Sequence, residues 1–243
     1  MGLGRKPKQG YKITYEGNSF VVAPYSIASQ IDTYLTAAGY VVATSNFGVG
    51  AAATGYPAVA DNYLLFSGRY NAVTARYAAT SYKNIVIVHE VANDIYYYTN
   101  AGYSVSDSVT NTYNNCVSYF SISGLSGVGF TCIFNTATPR NSTNTHANYE
   151  PARQNASNKF DTATINGKLR SEFTLPTQYT RIFKSNLAKW NNCILVDCGD
   201  DPNFGQIGQW ADTIYYNVDE VHPTATMQAQ LSDNYYGQAV KLL

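Results

Sequence analysis

The sequence predicts an α/β domain built on a parallel β-sheet with helices on both faces. Five short apolar runs rich in β-branched residues alternate with longer segments of helical character along the 243 residues. This alternation is typical of a parallel sheet whose strands are buried on both sides. A chain of this length suits one hydrophobic core and is short for two. We therefore expect one domain, spanning residues 11–243.

Each predicted strand precedes a predicted helix. The strands are the apolar runs at residues 12–15, 40–44, 84–89, 127–134 and 193–197. The helices are expected at residues 26–38, 58–79, 106–120, 175–190 and 224–242. In the last helix Met227, Leu231, Tyr235 and Ala239 recur every four residues, which indicates an apolar face that packs on the sheet.

Two segments fall outside this alternation. Residues 135–167 are polar and rich in Asn, Thr, Ser and Ala, and we predict a long surface excursion there. Residues 1–10 carry a small basic cluster, Arg5, Lys6 and Lys8, among three glycines. That composition predicts a flexible leader or a linker to a larger protein.

Composition narrows the classes of partner. Sixteen basic residues balance sixteen acidic ones, so no net field favours nucleic acid or an anionic membrane. No apolar stretch approaches the roughly 20 residues that cross a bilayer, and we expect a soluble domain without membrane insertion. The sequence leaves the location of the protein open: it could be secreted, or lie on a cell or virion surface as part of a larger protein. The oligomeric state is also open.

The four cysteines are too few and too scattered for a disulfide framework. They are Cys116, Cys132, Cys193 and Cys198. Because Cys132 and Cys193 fall in apolar strand-like runs, we expect buried free thiols.

Ligands of an open parallel sheet bind outside the carboxyl ends of its strands, so the segments that follow strands are the places to look for chemistry. Gly17-Asn18-Ser19 follows the first strand. A serine in such a turn exposes its hydroxyl and holds its backbone N–H where an oxyanion can be stabilised. The alternative is that Ser19 is simply a helix N-cap.

Two further segments offer hydrogen-bond donors. Small residues from Asn46 to Thr54 follow the second strand; they lack the pattern of a phosphate loop, and a tight turn is the alternative. After the third strand, His89-Glu90-Val91-Ala92-Asn93 nearly spells a zinc-protease motif. Asn93 replaces its second histidine, so we expect no metal. An Asn side chain can donate to an oxyanion, and a turn-forming Asn-Asp pair is the alternative.

The last segment of interest lies directly before the closing helix. Asp219 stands three residues ahead of His222, one of only three histidines in the chain. An Asp at this spacing can accept the imidazole Nδ1–H, which leaves Nε2 free to take a proton from a serine. The alternative is a turn aspartate beside an ordinary loop histidine.

Taken in chain order, these four segments resemble the four sequence blocks of the SGNH/GDSL hydrolase superfamily. The resemblance runs from residue 12 to residue 240 and includes Thr138-Pro139-Arg140, which is similar to a turn found in many members. It implies a flavodoxin-like three-layer α/β/α sandwich with a five-stranded parallel sheet, the SGNH hydrolase fold.

The resemblance also implies a serine esterase that needs no cofactor. Ser19 would be the nucleophile, His222 the general base and acid, and Asp219 its orienting partner. The oxyanion would bind the Ser19 N–H, the Asn93 side chain and an N–H of the glycine block, which is the segment from Asn46 to Thr54. We assign that last role to Gly50, and a shift of one residue would give it to the Ala51 backbone.

Three residues depart from the pattern of the superfamily. Asn18 replaces the usual Asp before the serine, Val91 the usual Gly two residues before Asn93, and Glu220 the common Gly after Asp219. None of the three substitutions removes a reacting group.

Members of this superfamily cleave many esters, and fold cannot choose among them. Tyr96 and Tyr97 directly follow the asparagine block, which is the segment from Glu90 to Ile95. Their rings could stack on sugar rings, which favours a carbohydrate O-acetylesterase. The alternatives are a lipid-directed GDSL esterase or lipase, and a non-catalytic glycan-binding or adhesion module.

Overall fold

The computed structural model describes residues 10–57, 61–79, 82–141 and 146–243. Within these ranges seven strands form one sheet, in the order β2-β1-β3-β4-β7-β6-β5. The strands are β1 Gly10–Gly17, β2 Val41–Asn46, β3 Lys83–His89, β4 Thr131–Asn135, β5 Leu175–Pro176, β6 Ile182–Lys184 and β7 Cys193–Val196.

The five predicted strands are parallel neighbours, from β2 at one edge through β1, β3 and β4 to β7. Two short strands, β5 and β6, extend the sheet beyond β7 in antiparallel pairing. The predicted α/β fold is therefore confirmed, and the five-stranded parallel sheet is the larger part of a mixed one.

Helices cover both faces of the sheet. They are α1 Ala28–Ala37, α2 Ser67–Thr74, α3 Ala92–Asn100, α4 Val105–Phe120, α5 Leu125–Val128, α6 Tyr149–Arg153, α7 Ile165–Glu172, α8 Ala225–Gln230 and α9 Gly237–Lys241. A π-type turn, Leu231–Tyr236, joins α8 to α9, so the predicted closing helix is confirmed.

The alternation of side chains along the strands builds two cores, one on each face. Ile85 and Ile87 of β3 pack in the core beneath α1 and the C-terminal helix. Val86 and Val88 point the other way, into the core shared with α3, α4 and α7. This is the three-layer arrangement that the resemblance implied.

The predicted helix at residues 175–190 is wrong. Its place is taken by β5, β6 and a single 3₁₀ turn, Ala188–Trp190. Ile182 instead pairs with Val196 of β7, so tertiary pairing at the sheet edge overrides the local apolar spacing.

Other boundaries also differ from the sequence expectations. Helix α2 occupies only Ser67–Thr74 of the predicted 58–79, and residues 58–60 lie outside the described residues. Of the leader predicted at residues 1–10, residues 1–9 also lie outside them, and Gly10 begins strand β1. Helix α3, Ala92–Asn100, falls outside every helix predicted from the sequence. The predicted strand at 127–134 begins at Thr131, after the short helix α5.

The expected surface excursion at residues 135–167 is wrong at residues 135–140 and 164–167, which are buried, whereas residues 156–160 are exposed as predicted and residues 142–145 lie outside the described residues. Residues 135–140 are all buried, and the backbone of Ala137 is held by Asn166, whose Oδ1 accepts the Ala137 N–H at 2.8 Å. The Arg153 side chain is also fully buried and donates to the Ala137 carbonyl. The polar composition reflects internal hydrogen bonding.

All four cysteines are buried free thiols, as the sequence predicted. Within the described ranges, no helix has the length and apolar character needed to cross a membrane.

Strand β1 ends at a glycine whose conformation the fold requires. Gly17 has φ +130°, and a Cβ there would lie 2.4 Å from the His89 carbonyl oxygen. The next residue, Asn18, donates its N–H to that same oxygen at 3.3 Å. The turn that carries Ser19 therefore leaves the sheet in direct backbone contact with the end of β3.

We predict that Gly17→Ala lowers the free energy of unfolding by at least about 2 kcal/mol, because it adds a backbone clash to the strain of a left-handed residue. Urea denaturation measures the change. Gly102→Ala is the matched control, since Gly102 also has a positive φ of +86° but open space around its Cβ position. An equal loss in both variants would contradict the role of the His89 contact.

Candidate active site

Ser19 lies at the tip of a tight turn after β1. The turn is closed by Asn18, whose Oδ1 accepts the Phe20 N–H at 3.0 Å and whose carbonyl accepts the Val21 N–H at 3.0 Å. The next helix, α1, begins only at Ala28. Ser19 is therefore not a helix N-cap, and its hydroxyl is free to face a ligand.

Ser19, His222 and Asp219 form one hydrogen-bonded chain. The Ser19 Oγ lies 2.8 Å from His222 Nε2. On the other side of the ring, His222 Nδ1 lies 2.5 Å from Asp219 Oδ2. The tertiary fold brings together a serine and a histidine that are 203 residues apart in sequence.

Asp219 is held in place by the backbone as well as by the ring. Its Oδ1 accepts the N–H groups of Val221 at 3.0 Å and His222 at 2.9 Å. Partial burial alone would raise the pKa of Asp219, but the hydrogen bonds from the His222 backbone and imidazole outweigh it and leave the pKa below its ordinary value. The carboxylate is thus ionised and can orient an imidazolium.

The His222 ring is also fixed by packing. It stacks on Tyr25, with the ring centroids 4.3 Å apart and the planes at 11°. No sequence signal marked Tyr25, because it belongs to an ordinary loop after the serine turn and reaches the histidine only in the folded chain.

Backbone N–H groups suited to an oxyanion surround the serine. Within the described residues, the N–H groups of Ser19, Gly50 and Ala51 donate to no protein acceptor. All three residues line the cavity at Ser19. Gly50 and Ala51 thus stand side by side as candidate donors, and both positions considered from the sequence remain proposals.

Asn93 stands at the start of α3, against the same cavity. Its Nδ2 donates to the Ala52 carbonyl at 2.6 Å, and its Oδ1 accepts from the Arg140 guanidinium. These bonds fix which way the amide faces, and they leave one Nδ2 hydrogen for a ligand. His89 ends strand β3 and helix α3 begins only at Ala92, so the His89-to-Asn93 segment is not one continuous helix.

Two departures from the superfamily pattern sit in backbone conformations that favour glycine. Val91 has φ +79° and Glu220 has φ +55°. These are positions where the superfamily usually carries glycine. A non-glycine residue in the left-handed region costs on the order of 1–2 kcal/mol. The chain therefore adopts backbone conformations that favour glycine at two positions without glycine, and the fully buried Val91 side chain packs in the core.

The cavity has a volume of about 400 Å³ and gathers most of the predicted site residues. Its lining is Ser19, Gly50, Ala51, Asn93, Tyr96, Tyr97, Arg140, Val221 and His222. Asp219 lies behind His222 and completes the set. Arg140 and Val221 were not predicted as site residues, although Arg140 lay in the Thr-Pro-Arg segment that carried part of the resemblance.

Below the serine turn lies a layer of buried ionisable groups. Complete burial lowers the pKa of His89 to about 3, and its Nδ1 lies 2.9 Å from the Tyr236 hydroxyl. The His89 ring stacks on Phe20 with centroids 4.3 Å apart. His89 is therefore neutral at neutral pH and supports the residue that follows Ser19.

Glu16 and Arg69 connect the serine turn to the glycine block. Arg69 pairs with the Glu16 carboxyl and also donates to the Phe47 carbonyl at 3.1 Å. Burial raises the pKa of Glu16 to about 7 despite the nearby guanidinium. The pair joins the end of β1 to the loop after β2.

Comparison with known proteins supports the fold. No protein-family model matches the sequence, and no curated protein matches it. The structure resembles that of the psychrotrophic esterase EstA from Pseudoalteromonas sp., inhibited by monoethylphosphonate. The TM-score is 0.52 and the identity 12%, over 95% of this chain and 97% of that one. The structure of TesA aligns with a TM-score of 0.48 and 11% identity, over 92% and 94% of the two chains.

The likeness to EstA extends over nearly the full length of both chains. At this identity it shows a shared fold, which agrees with the α/β architecture predicted from the sequence.

The buried His89 predicts a pH dependence of stability. The folded state binds fewer protons than the unfolded state between pH 6.5 and about 3, so stability falls as the pH drops through that window. We expect His89→Asn to lose less stability than the wild type between pH 6.5 and 4, by on the order of 3 kcal/mol.

Urea denaturation across this pH range measures the difference. His146→Asn is the control, because His146 is an exposed histidine and its replacement should leave the wild-type profile in place. Parallel profiles for His89→Asn and the wild type would contradict the prediction.

Proposed function

We propose that this protein is a serine esterase of the SGNH type that hydrolyses short acyl esters, with O-acetyl groups on carbohydrate as its substrates. The observation that carries the proposal is the 2.8 Å contact between Ser19 Oγ and His222 Nε2, backed by the contact from His222 to Asp219. Ser19 and His222 line a surface cavity, as a nucleophile and its base must.

The geometry supports a two-step reaction. His222 takes the proton from Ser19 Oγ as that oxygen attacks the ester carbonyl, and then returns it to the leaving alcohol. Water, activated in the same way, hydrolyses the acyl-enzyme. The free N–H groups of Ser19 and Gly50 or Ala51, with the Asn93 amide, would stabilise the oxyanion of each tetrahedral intermediate.

Aromatic rings beside the cavity support a carbohydrate substrate. Tyr97 stacks on Tyr56 with centroids 5.5 Å apart and packs edge-on against Tyr96 at 5.1 Å. Tyr56 also meets Tyr98 edge-on at 4.8 Å. Rigid tyrosines with apolar faces and polar tips suit sugar rings.

Charge in the cavity supports a short acyl group. Arg140 lines the wall, and a long alkyl chain lying against its guanidinium would remove water from the charge without replacing its hydrogen bonds. An acetyl group is small enough to leave that side chain hydrated.

We predict that Ser19→Ala and His222→Ala each lower kcat for 4-nitrophenyl acetate by about 10³–10⁶-fold, because they remove the nucleophile or its base. Release of 4-nitrophenol near neutral pH measures the rate. Ser29→Ala and His146→Ala are controls that remove an exposed serine and an exposed histidine.

Covalent labelling separates a weak enzyme from a binding module. A fluorophosphonate should label the wild type and not Ser19→Ala. If the wild type neither hydrolyses the ester nor is labelled, the esterase proposal is contradicted and the non-catalytic glycan-binding module is favoured.

The acyl preference is a separate prediction. We expect kcat/KM for 4-nitrophenyl acetate to exceed that for 4-nitrophenyl octanoate by at least about tenfold, because the longer chain desolvates Arg140. Both rates are measured with the wild type. Equal rates on the two esters would argue against an acetylesterase and for a lipid-directed enzyme.

A further inference from the structure

Arg140 is a buried cation at the wall of the candidate active site. Only 7% of its surface is exposed, and it lines the same cavity as Ser19 and His222. Its Nη2 donates to Asn93 Oδ1, and its guanidinium lies 5.5 Å from the centroid of the Tyr96 ring. The side chain is thus fixed on two sides, with its charge next to the reacting groups.

Arg140 differs from other arginines that the fold encloses. Arg69, Arg153 and Arg170 each pair with a carboxylate, from Glu16, Glu150 and Asp197 respectively. No carboxylate within the described part of the chain forms an ion pair with Arg140.

Neither Glu150 nor Glu90 forms an ion pair with the Arg140 guanidinium. Glu150 accepts the Arg140 backbone N–H at 3.3 Å through Oε1, while its Oε2 pairs with the Arg153 guanidinium at 2.8 Å. Glu90 is fully buried, and its burial, together with Asp94, raises its pKa well above the ordinary value. The Glu90 Oε1 accepts the Asn93 N–H at 3.0 Å, and Glu90 forms no ion pair with Arg140.

Much of the guanidinium remains available to a ligand. Among the described residues, Arg140 Nε and Nη1 donate to no protein acceptor, and the side chain makes its one hydrogen bond through Nη2. An enclosed charge without a partner is costly. Guanidinium N–H groups that face a cavity and have no protein acceptor are suited to bind an anion such as a carboxylate.

We infer that Arg140 binds a carboxylate of the substrate, so that the ester hydrolysed at Ser19 belongs to an acidic compound such as an O-acetylated uronic acid. This inference rests on the proposed esterase function and names its substrate class. One planar cation matches one planar monoanion in charge and geometry. Arg140 has a second task as a positioning residue, since it also sets the direction of the Asn93 amide.

Matched pairs of small esters test the inference. The probes 3- and 4-acetoxybenzoate carry the carboxylate on the alcohol side, and their neutral matches are the corresponding acetoxybenzamides. On the acyl side, 4-nitrophenyl hydrogen succinate is matched by 4-nitrophenyl succinamate. We expect kcat/KM to favour at least one carboxylate over its amide by about 10- to 100-fold, as for a charge-assisted hydrogen-bonded pair.

Variants separate the charge from the positioning of Asn93. Arg140→Met should lower turnover of every ester, because Asn93 loses its support, and it should also abolish the preference for the carboxylate. Arg140→Lys should keep part of that preference. Lys184→Gln is the control: it removes one positive charge from strand β6, away from the cavity lining, and should leave the preference unchanged.

A binding measurement decides the matter independently of turnover. The Ser19→Ala variant, with and without Arg140→Met, is titrated with 4-acetamidobenzoate and 4-acetamidobenzamide, which are not esters. Equal rates within every ester pair, equal affinities for acid and amide, or a preference that survives Arg140→Met would overturn the inference. Hydrolysis of neutral esters without such a preference would leave the esterase proposal standing.

Discussion

The active-site geometry depends on the parallel pairing of β1 with β3. Their register sets Gly17 opposite His89 at the carboxyl ends of both strands, and the Asn18 N–H binds the His89 carbonyl at 3.3 Å. The segment with the nucleophile and the segment with Asn93 therefore leave the sheet side by side. A side chain at Gly17 would separate them, since its Cβ would lie 2.4 Å from that carbonyl oxygen. The loop after β2 joins the same edge, because β2 pairs with β1 on its other side.

Local backbone strain accompanies this arrangement. Ala51, Val91 and Glu220 all have positive φ angles, of 62°, 79° and 55°, and each belongs to a segment that supplies part of the site. Such conformations persist only where the surrounding structure holds them, at about 1–3 kcal/mol each. Here the surroundings do so: Val91 is enclosed in the core, and the Glu220 N–H donates to the Asn217 carbonyl at 2.8 Å. The folded structure thus stabilises backbone conformations at the site that the isolated loops would not adopt.

The electrostatics of the site follow from which groups the fold keeps neutral. Burial lowers the pKa of His89 to about 3, so this ring is neutral at neutral pH, and burial raises the pKa of Glu90, which disfavours its charged form. Arg140 keeps its charge without an ion-pair partner among the described residues, while Asp219 remains an anion behind His222. Arg140 thus places a positive charge on the wall of the cavity that Ser19 and His222 line. That polarity favours both a developing oxyanion and an anionic substrate group.

The sequence by itself determined the α/β class and the five parallel strands, because both depend on short-range periodicity. It also determined the segments that carry Ser19, Asn93, Asp219 and His222, because these are local motifs at the ends of predicted strands or before the last helix. The helix predicted at 175–190 was wrong, because strand pairing at the sheet edge prevails over local spacing there. The surface segment predicted at 135–167 was partly wrong, because polar residues that hydrogen-bond internally cannot be distinguished in sequence from exposed ones. Only the tertiary structure decided that Ser19 and His222 meet at 2.8 Å and that Arg140 lines their cavity without an ion-pair partner among the described residues. Contacts between residues far apart in the chain depend on how the layers pack, and no local pattern encodes that packing.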